Sequence, residues 1–318
     1  MQPIAEYIVL LSIIKIFMFH PGYIRLYKTG QMSGRIKAAL KLLQECRICP
    51  RRCKVNRLEN KMGMCRVGRL PKVSSYSPHF GEEAPLVGTH GSGTIFITSC
   101  NLGCVFCQNY DISHLGEGYE ISVERFAQMM LELQKMGCHN INFVTPTHVV
   151  PQILEALPIA IEQGLAVPLV YNTGGYDSVE TLRLLEGVFD IYMPDFKFFD
   201  NEVAFTLCKA RDYPQVAMEA IKEMHRQAGD LVINDCGIAE RGLIVRHLVM
   251  PDNLAGTRSV MRFLAKNISK DTYVNIMDQY HPCGIAYKYP AINRRISDKE
   301  FADALKCADE EGIHRLAS

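Results

Sequence analysis

Ile95-Phe96-Ile97-Thr98-Ser99-Cys100-Asn101-Leu102-Gly103-Cys104-Val105-Phe106-Cys107 is the stretch on which the reading of this chain turns. Residues 95–98 have the length and composition of a buried strand. Three cysteines follow within eight residues, and Gly103 lets their loop turn tightly. Thiolates are soft ligands, suited to iron–sulfur clusters, zinc or copper(I). The number of ligands narrows the choice. A structural zinc site closes on four ligands, and an ordinary 4Fe–4S cluster takes four cysteines. Three leave one metal position open, where substrate chemistry can occur. The plain alternative is three buried or zinc-bound cysteines.

Outward from this segment, short apolar runs alternate with helical periodicity. Strands are predicted at 141–144, 167–171, 189–193, 231–235, 243–248 and 272–277. Helices are predicted at 123–136 (capped by Ser122), 150–163, 178–185, 214–227, 259–266 and 301–310. This alternation implies a parallel sheet with helical crossovers, an α/β fold. About six such units fit between Thr94 and Asp278, too few for an eight-unit barrel. A partial, open barrel or a doubly wound sheet is left, and in either the chemistry sits at the C-terminal strand ends. Upstream, 31–43 reads as a helix capped by Ser33, 46–65 as a basic cysteine-rich knot, and 71–93 as irregular chain rich in Gly, Pro and Ser.

Composition excludes several classes. A formal net charge of +1 over 318 residues gives no global pull toward nucleic acid or acidic membranes. No repeat marks a solenoid. Twelve cysteines in a chain too large to need disulfide staples point to metal and to a reducing cytoplasm. The apolar run 8–19 is too short for a transmembrane helix, which needs about 20 residues, and no basic segment precedes it as in a signal peptide. It is expected to be a packed or docked extension.

Cys46-x2-Cys49-x3-Cys53-x11-Cys65 supplies a second, four-ligand set. That count suits structural zinc or an auxiliary Fe–S cluster, and spacing does not choose between them. Eight Lys and Arg residues lie between 47 and 69. They could offset thiolate charge, meet an acidic partner or form a solvated face.

With Phe106 just before its third cysteine, the C-x3-C-x2-C spacing resembles the signature of the radical S-adenosylmethionine (SAM) superfamily. The resemblance implies a partial (β/α)6 TIM-type barrel with an N-terminal cysteine-rich extension. It implies a 4Fe–4S cluster on Cys100, Cys104 and Cys107 whose open iron binds SAM. One electron, from a flavodoxin- or ferredoxin-type donor, would cleave SAM to methionine and a 5′-deoxyadenosyl radical. Phe106 joins the cofactor-binding candidates. Asp195-Phe196-Lys197, at the end of the fourth strand, looks like the Asp-x-Lys element of glycyl-radical-enzyme activases. On that match Lys197 binds the SAM carboxylate or ribose, and Asp195 binds SAM or a monovalent cation. Asn172-Thr173-Gly174-Gly175 resembles the activases' Asp-Thr-Asn-Gly, with asparagine in place of aspartate. Most activases use a Gly-Gly-Glu run for the SAM amino group. This chain has Thr145-Pro146-Thr147-His148 there, so Thr147 and His148 are the candidates. Arg246 and His281, in and after the late strands, complete the set.

Further cues are Gly91-Ser92-Gly93-Thr94, Pro78-His79-Phe80-Gly81-Glu82-Glu83 and Arg246-His247-Leu248-Val249-Met250-Pro251. They make the chain similar to the activase-related, PflX-like branch. The expected organisation is an apolar extension at 1–22, a helix and cysteine-rich segment at 23–90, a barrel at 91–290 and a C-terminal helix at 291–318. The expected substrate is unspecified, with a protein glycine one option. The competing readings are an RNA-modifying radical SAM enzyme and a non-catalytic Fe–S carrier or zinc-binding protein.

Overall fold

The computed structural model describes residues 19–317. The expectation of a packed apolar N-terminal extension falls almost wholly outside those residues. In chain order come α1 (Gly22–Lys28), α2 (Gln31–Gln44), β1 (Lys72–His79), α3 (Ala84–Val87), β2 (Ser92–Ile97), β3 (Tyr119–Glu120), α4 (Val123–Lys135), β4 (Ile141–Val144), α5 (Val150–Glu162) and β5 (Leu169–Thr173). Then follow α6 (Val179–Leu184), β6 (Ile191–Pro194), α7 (Asn201–Cys208), α8 (Tyr213–Ala228), β7 (Val232–Ile233), β8 (Ala239–Leu248), α9 (Thr257–Asn267), β9 (Tyr273–Met277) and α10 (Asp298–Glu311).

Strands β2, β4, β5, β6, β8 and β9 are parallel and lie side by side in chain order. A doubly wound sheet reverses its strand order at a switch point; this one does not. Its winding is that of a barrel, open because β9 pairs only with β8 among the named strands. The helices cover the outside. In α4, Phe126, Met129, Met130 and Leu133 recur at helical spacing and are fully buried. Ser122 caps this helix by accepting from the Arg125 N–H at 3.1 Å. No helix among the described residues is long and apolar enough to cross a membrane.

Three local expectations are corrected. Residues 71–93 are not irregular throughout, because β1 pairs antiparallel with β2 and extends the open edge of the barrel. Residues 31–43 do form a helix, but it begins at Gln31 after a left-handed Gly30, so Ser33 lies inside it and caps nothing. The strand expected at 231–235 shrinks to β7, which runs antiparallel to β8 and is no part of the parallel barrel.

His247 fastens β8 to the helix beyond it. Its Nδ1 lies 2.7 Å from the Phe196 carbonyl and its Nε2 lies 2.9 Å from Thr257 Oγ1. A carbonyl only accepts, so Nδ1 carries the proton and the Thr257 hydroxyl donates to Nε2. Burial pushes the ring down to about 4. Between that value and the ordinary one near 6.5, the unfolded chain takes a proton the folded one refuses. Stability from this residue is therefore complete above about pH 6.5 and lost toward pH 4, by about 3 kcal/mol. Urea midpoints at pH 7 and pH 5 should separate clearly for the wild type and less for His247→Gln; equal separations would refute the assignment.

Candidate active site

Strand β2 ends at Ile97, and Ser99, in the left-handed region (φ 74°), turns the chain. The Ser99 N–H donates to the Ile112 carbonyl at 3.0 Å, folding the cysteine loop against residues 111–115. Cys100, Cys104 and Cys107 then line a cavity of about 380 Å3 at the C-terminal ends of the barrel strands. Ser113 Oγ donates to Cys107 Sγ at 3.2 Å, and the Leu102 N–H donates to Cys100 Sγ at 3.3 Å. Burial pushes the Cys100 thiol up to about 12, so ionisation there depends on a metal. Among the described residues no fourth cysteine lines this cavity, so its donor set fits a cluster with one open metal position.

A chain of charges lines the same cavity. Lys197 Nζ donates to Asp195 Oδ2 at 2.6 Å, and Arg246 Nε donates to Asp195 Oδ1 at 2.8 Å. Arg246 Nη2 donates to Asn172 Oδ1 at 2.7 Å, and its Nη1 stands 3.7 Å from Glu82. Glu82 in turn lies 3.3 Å from His79. Burial alone would raise the Asp195 carboxyl, but Arg246 and Lys197 outweigh it and hold the group below the usual carboxylate range. Burial likewise opposes the charge on Lys197, and Asp195 more than restores it. Two cations and one carboxylate therefore stay ionised beside the thiols.

The expected site residues divide. Phe106, Asn172, Thr173, Asp195, Lys197 and Arg246 line the same cavity as the cysteine triplet. Thr147, His148 and His281 do not. After β4, Thr145 takes a left-handed conformation (φ 62°), so Val144 and Thr145 face the cavity while the next turn folds behind it. Thr147 Oγ1 donates to the buried carboxylate of Asp177 at 2.8 Å. His148 Nε2 meets the Thr98 carbonyl at 2.9 Å, and His148 lines a separate, small void beside the second cysteine set. His281 faces the Gln279 carbonyl at 3.2 Å, and it is Gln279 that reaches the cavity.

Sequence reading missed three contributors. His79 and Glu82 enter from the end of β1; they stand in the 78–83 stretch that served as a family cue, but nothing in it assigned them to the site. Tyr213, at the start of α8, places its hydroxyl 2.9 Å from the Gly174 carbonyl and 2.8 Å from the Asp195 carbonyl, and accepts from the Lys197 N–H at 2.9 Å. It ties the ends of β5 and β6 together. Gly175 shares this spot: its φ is +79°, and a Cβ there would strike the Asp195 carbonyl oxygen. Gly175→Ala should cost more than about 2 kcal/mol, from left-handed strain plus overpacking. A denaturation midpoint unchanged from wild type would contradict that close approach.

Residues 94–239 match the family model described as Radical SAM superfamily. An uncharacterized protein of Methanocaldococcus jannaschii is 37% identical over 298 residues, covering 90% of this chain and 80% of that protein. Residues 94–239 thus form a radical SAM domain. Among solved structures, HydG, a maturase of the FeFe-hydrogenase, matches with a TM-score of 0.47 at 14% identity, over 69% of this chain and 48% of that one. TYW1 with a lysine-pyruvate adduct bound matches with a TM-score of 0.43 at 10% identity, over 68% and 73% respectively. The family implies a 4Fe–4S cluster and SAM.

Proposed function

We propose that Cys100, Cys104 and Cys107 hold the 4Fe–4S cluster and that the 380 Å3 cavity receives SAM beside it. The observation that carries this reading is the shared cavity, which three thiols line together with Asp195, Lys197 and Arg246. Bound there, the cluster would supply one electron that splits SAM into methionine and a 5′-deoxyadenosyl radical able to take a hydrogen atom from a substrate. Lys197 is placed to meet a carboxylate or a ribose oxygen, and Asp195 fixes its direction. Phe106, held edge-on by Phe198 at 5.8 Å and Tyr280 at 6.0 Å, forms part of the cavity wall beside the triplet.

The finer placement is the activase-related, PflX-like branch, acting in a reducing cytoplasm with a flavodoxin- or ferredoxin-type donor. It rests on the Asp-x-Lys resemblance and on cysteines free of disulfides. A glycine of a protein partner is the hydrogen source on that reading. A monovalent cation at Asp195 is left out, because Arg246 and Lys197 already bring two positive charges to it and Asn172 supplies no second carboxylate. Anaerobically reconstituted protein given SAM and dithionite should produce 5′-deoxyadenosine. An assembled cluster without cleavage would instead make this a carrier.

A further inference from the structure

Outside the large cavity, four cysteines converge on a second void. Cys46, Cys49, Cys53 and Cys65 line a space of about 10 Å3 together with Arg51, Arg57, Asn101 and His148. None of the four forms a disulfide. Arg57 is only 1% exposed. Its Nε donates to the Gly68 carbonyl at 3.1 Å and its Nη1 to the His148 carbonyl at 2.8 Å, while its buried Nη2 has no partner. Arg51 Nε donates to the Asn101 carbonyl at 2.8 Å and Nη1 to the Lys209 carbonyl at 2.6 Å, and its buried Nη2 also lacks a partner. Buried guanidinium N–H groups left without a partner call for an anion. No carboxylate lines this void. The anions within reach are thiolates, and buried thiols ionise when they bind metal.

Size separates a single ion from a cluster. Four sulfurs closed on one zinc stand about 2.3 Å from its centre, which leaves no room among them for a water-sized sphere. This void admits one. Among the described residues, no three Cys, His, Asp or Glu side chains close on a single-ion point. We propose that Cys46, Cys49, Cys53 and Cys65 hold an iron–sulfur cluster whose negative charge is offset by Arg51 and Arg57. Its position gives it a role. Asn101 lines the void and directly follows Cys100, so the two sites are one residue apart along the chain. The second cluster takes one electron from a low-potential donor protein, which is oxidised. It then reduces the cluster on the triplet by that same electron and returns to its oxidised state; no bond or proton changes hands.

The relay rests on the proposed function, whereas the second cluster itself does not. Its test is the full chain with Cys100, Cys104 and Cys107 all replaced by alanine, reconstituted anaerobically with iron and sulfide. About four irons and four sulfides per chain, with an EPR signal on dithionite reduction, are expected. One zinc without iron, or no metal at all, overturns the cluster. Should that variant fail to fold, the wild type decides: about eight irons per chain support the proposal and about four overturn it. Fully reduced wild-type protein should show EPR signals broadened by coupling between two neighbouring clusters. Two independent, unbroadened signals overturn the relay. Two assembled clusters without SAM cleavage would count against the proposed function and leave the second cluster standing.

Discussion

Cys104→Ala is expected to abolish 5′-deoxyadenosine formation and to remove about four irons per chain, while the fold stays intact. The middle cysteine of the triplet sits deepest, at 9% exposure. The loop around it is set by the backbone: the Gly103 N–H donates to the Cys208 carbonyl at 3.1 Å and the Val105 N–H to the Leu207 carbonyl at 2.9 Å. Neither bond needs the sulfur. Losing one small side chain costs about 1 kcal/mol, a few degrees in Tm for a chain of this size. Chemistry should suffer out of all proportion, since two thiols cannot hold a cluster that three hold with one corner open. Cys208 is the control. It lies against Cys104 but does not line the cavity, and it donates to the Ala204 carbonyl at 3.0 Å. Cys208→Ala should keep both iron and turnover. Full activity in Cys104→Ala would sink the proposed cluster site, and an unfolded Cys104→Ala would show the sulfur to be structural.

How much of this was legible in the chain follows from where the physical signals lie. Barrel winding could be read from alternating apolar runs because each βα unit is local, and a buried parallel strand such as 141–144 is apolar at three of its four positions. β1 carries no such signal. Lys72–His79 is half exposed, holds three serines and a proline, and becomes a strand only because β2 offers it an unpaired edge. His79 and Glu82 reach the cavity through that long-range pairing, so local pattern could not place them. Thr147 and His148 illustrate the opposite error. They occupy the right strand end, but the left-handed turn at Thr145 sends them behind the wall. A β-branched residue gives no warning of such a turn. Spacing also left the metal of the second cysteine set open. The unpartnered Nη2 groups of Arg51 and Arg57 and the size of the void narrow it, and both are tertiary facts.

Asp195→Ala is the second large effect, and it falls on stability as well as on ligand binding. Asp195 is the sole carboxylate bonded to both Arg246 and Lys197 among the described residues. Arg246 and Lys197 side chains are each 19% exposed. Removing their shared partner leaves two poorly solvated cations facing each other, the situation that typically costs about 3–5 kcal/mol. For a domain of this length that is a fall in Tm of about 10 °C. Arg246 keeps Asn172 and a distant Glu82, so Lys197 bears most of the loss. A double-mutant cycle separates the two roles. If Lys197 is the stranded charge, Lys197→Met should recover much of the stability lost in Asp195→Ala, giving a coupling of about 1–3 kcal/mol. It should not recover SAM binding, since Lys197 is also the group proposed to meet SAM. Recovery of neither would mean that Arg246 carries the penalty. Recovery of both would mean that the Asp195–Lys197 pair is an ion bridge in the barrel mouth and nothing more.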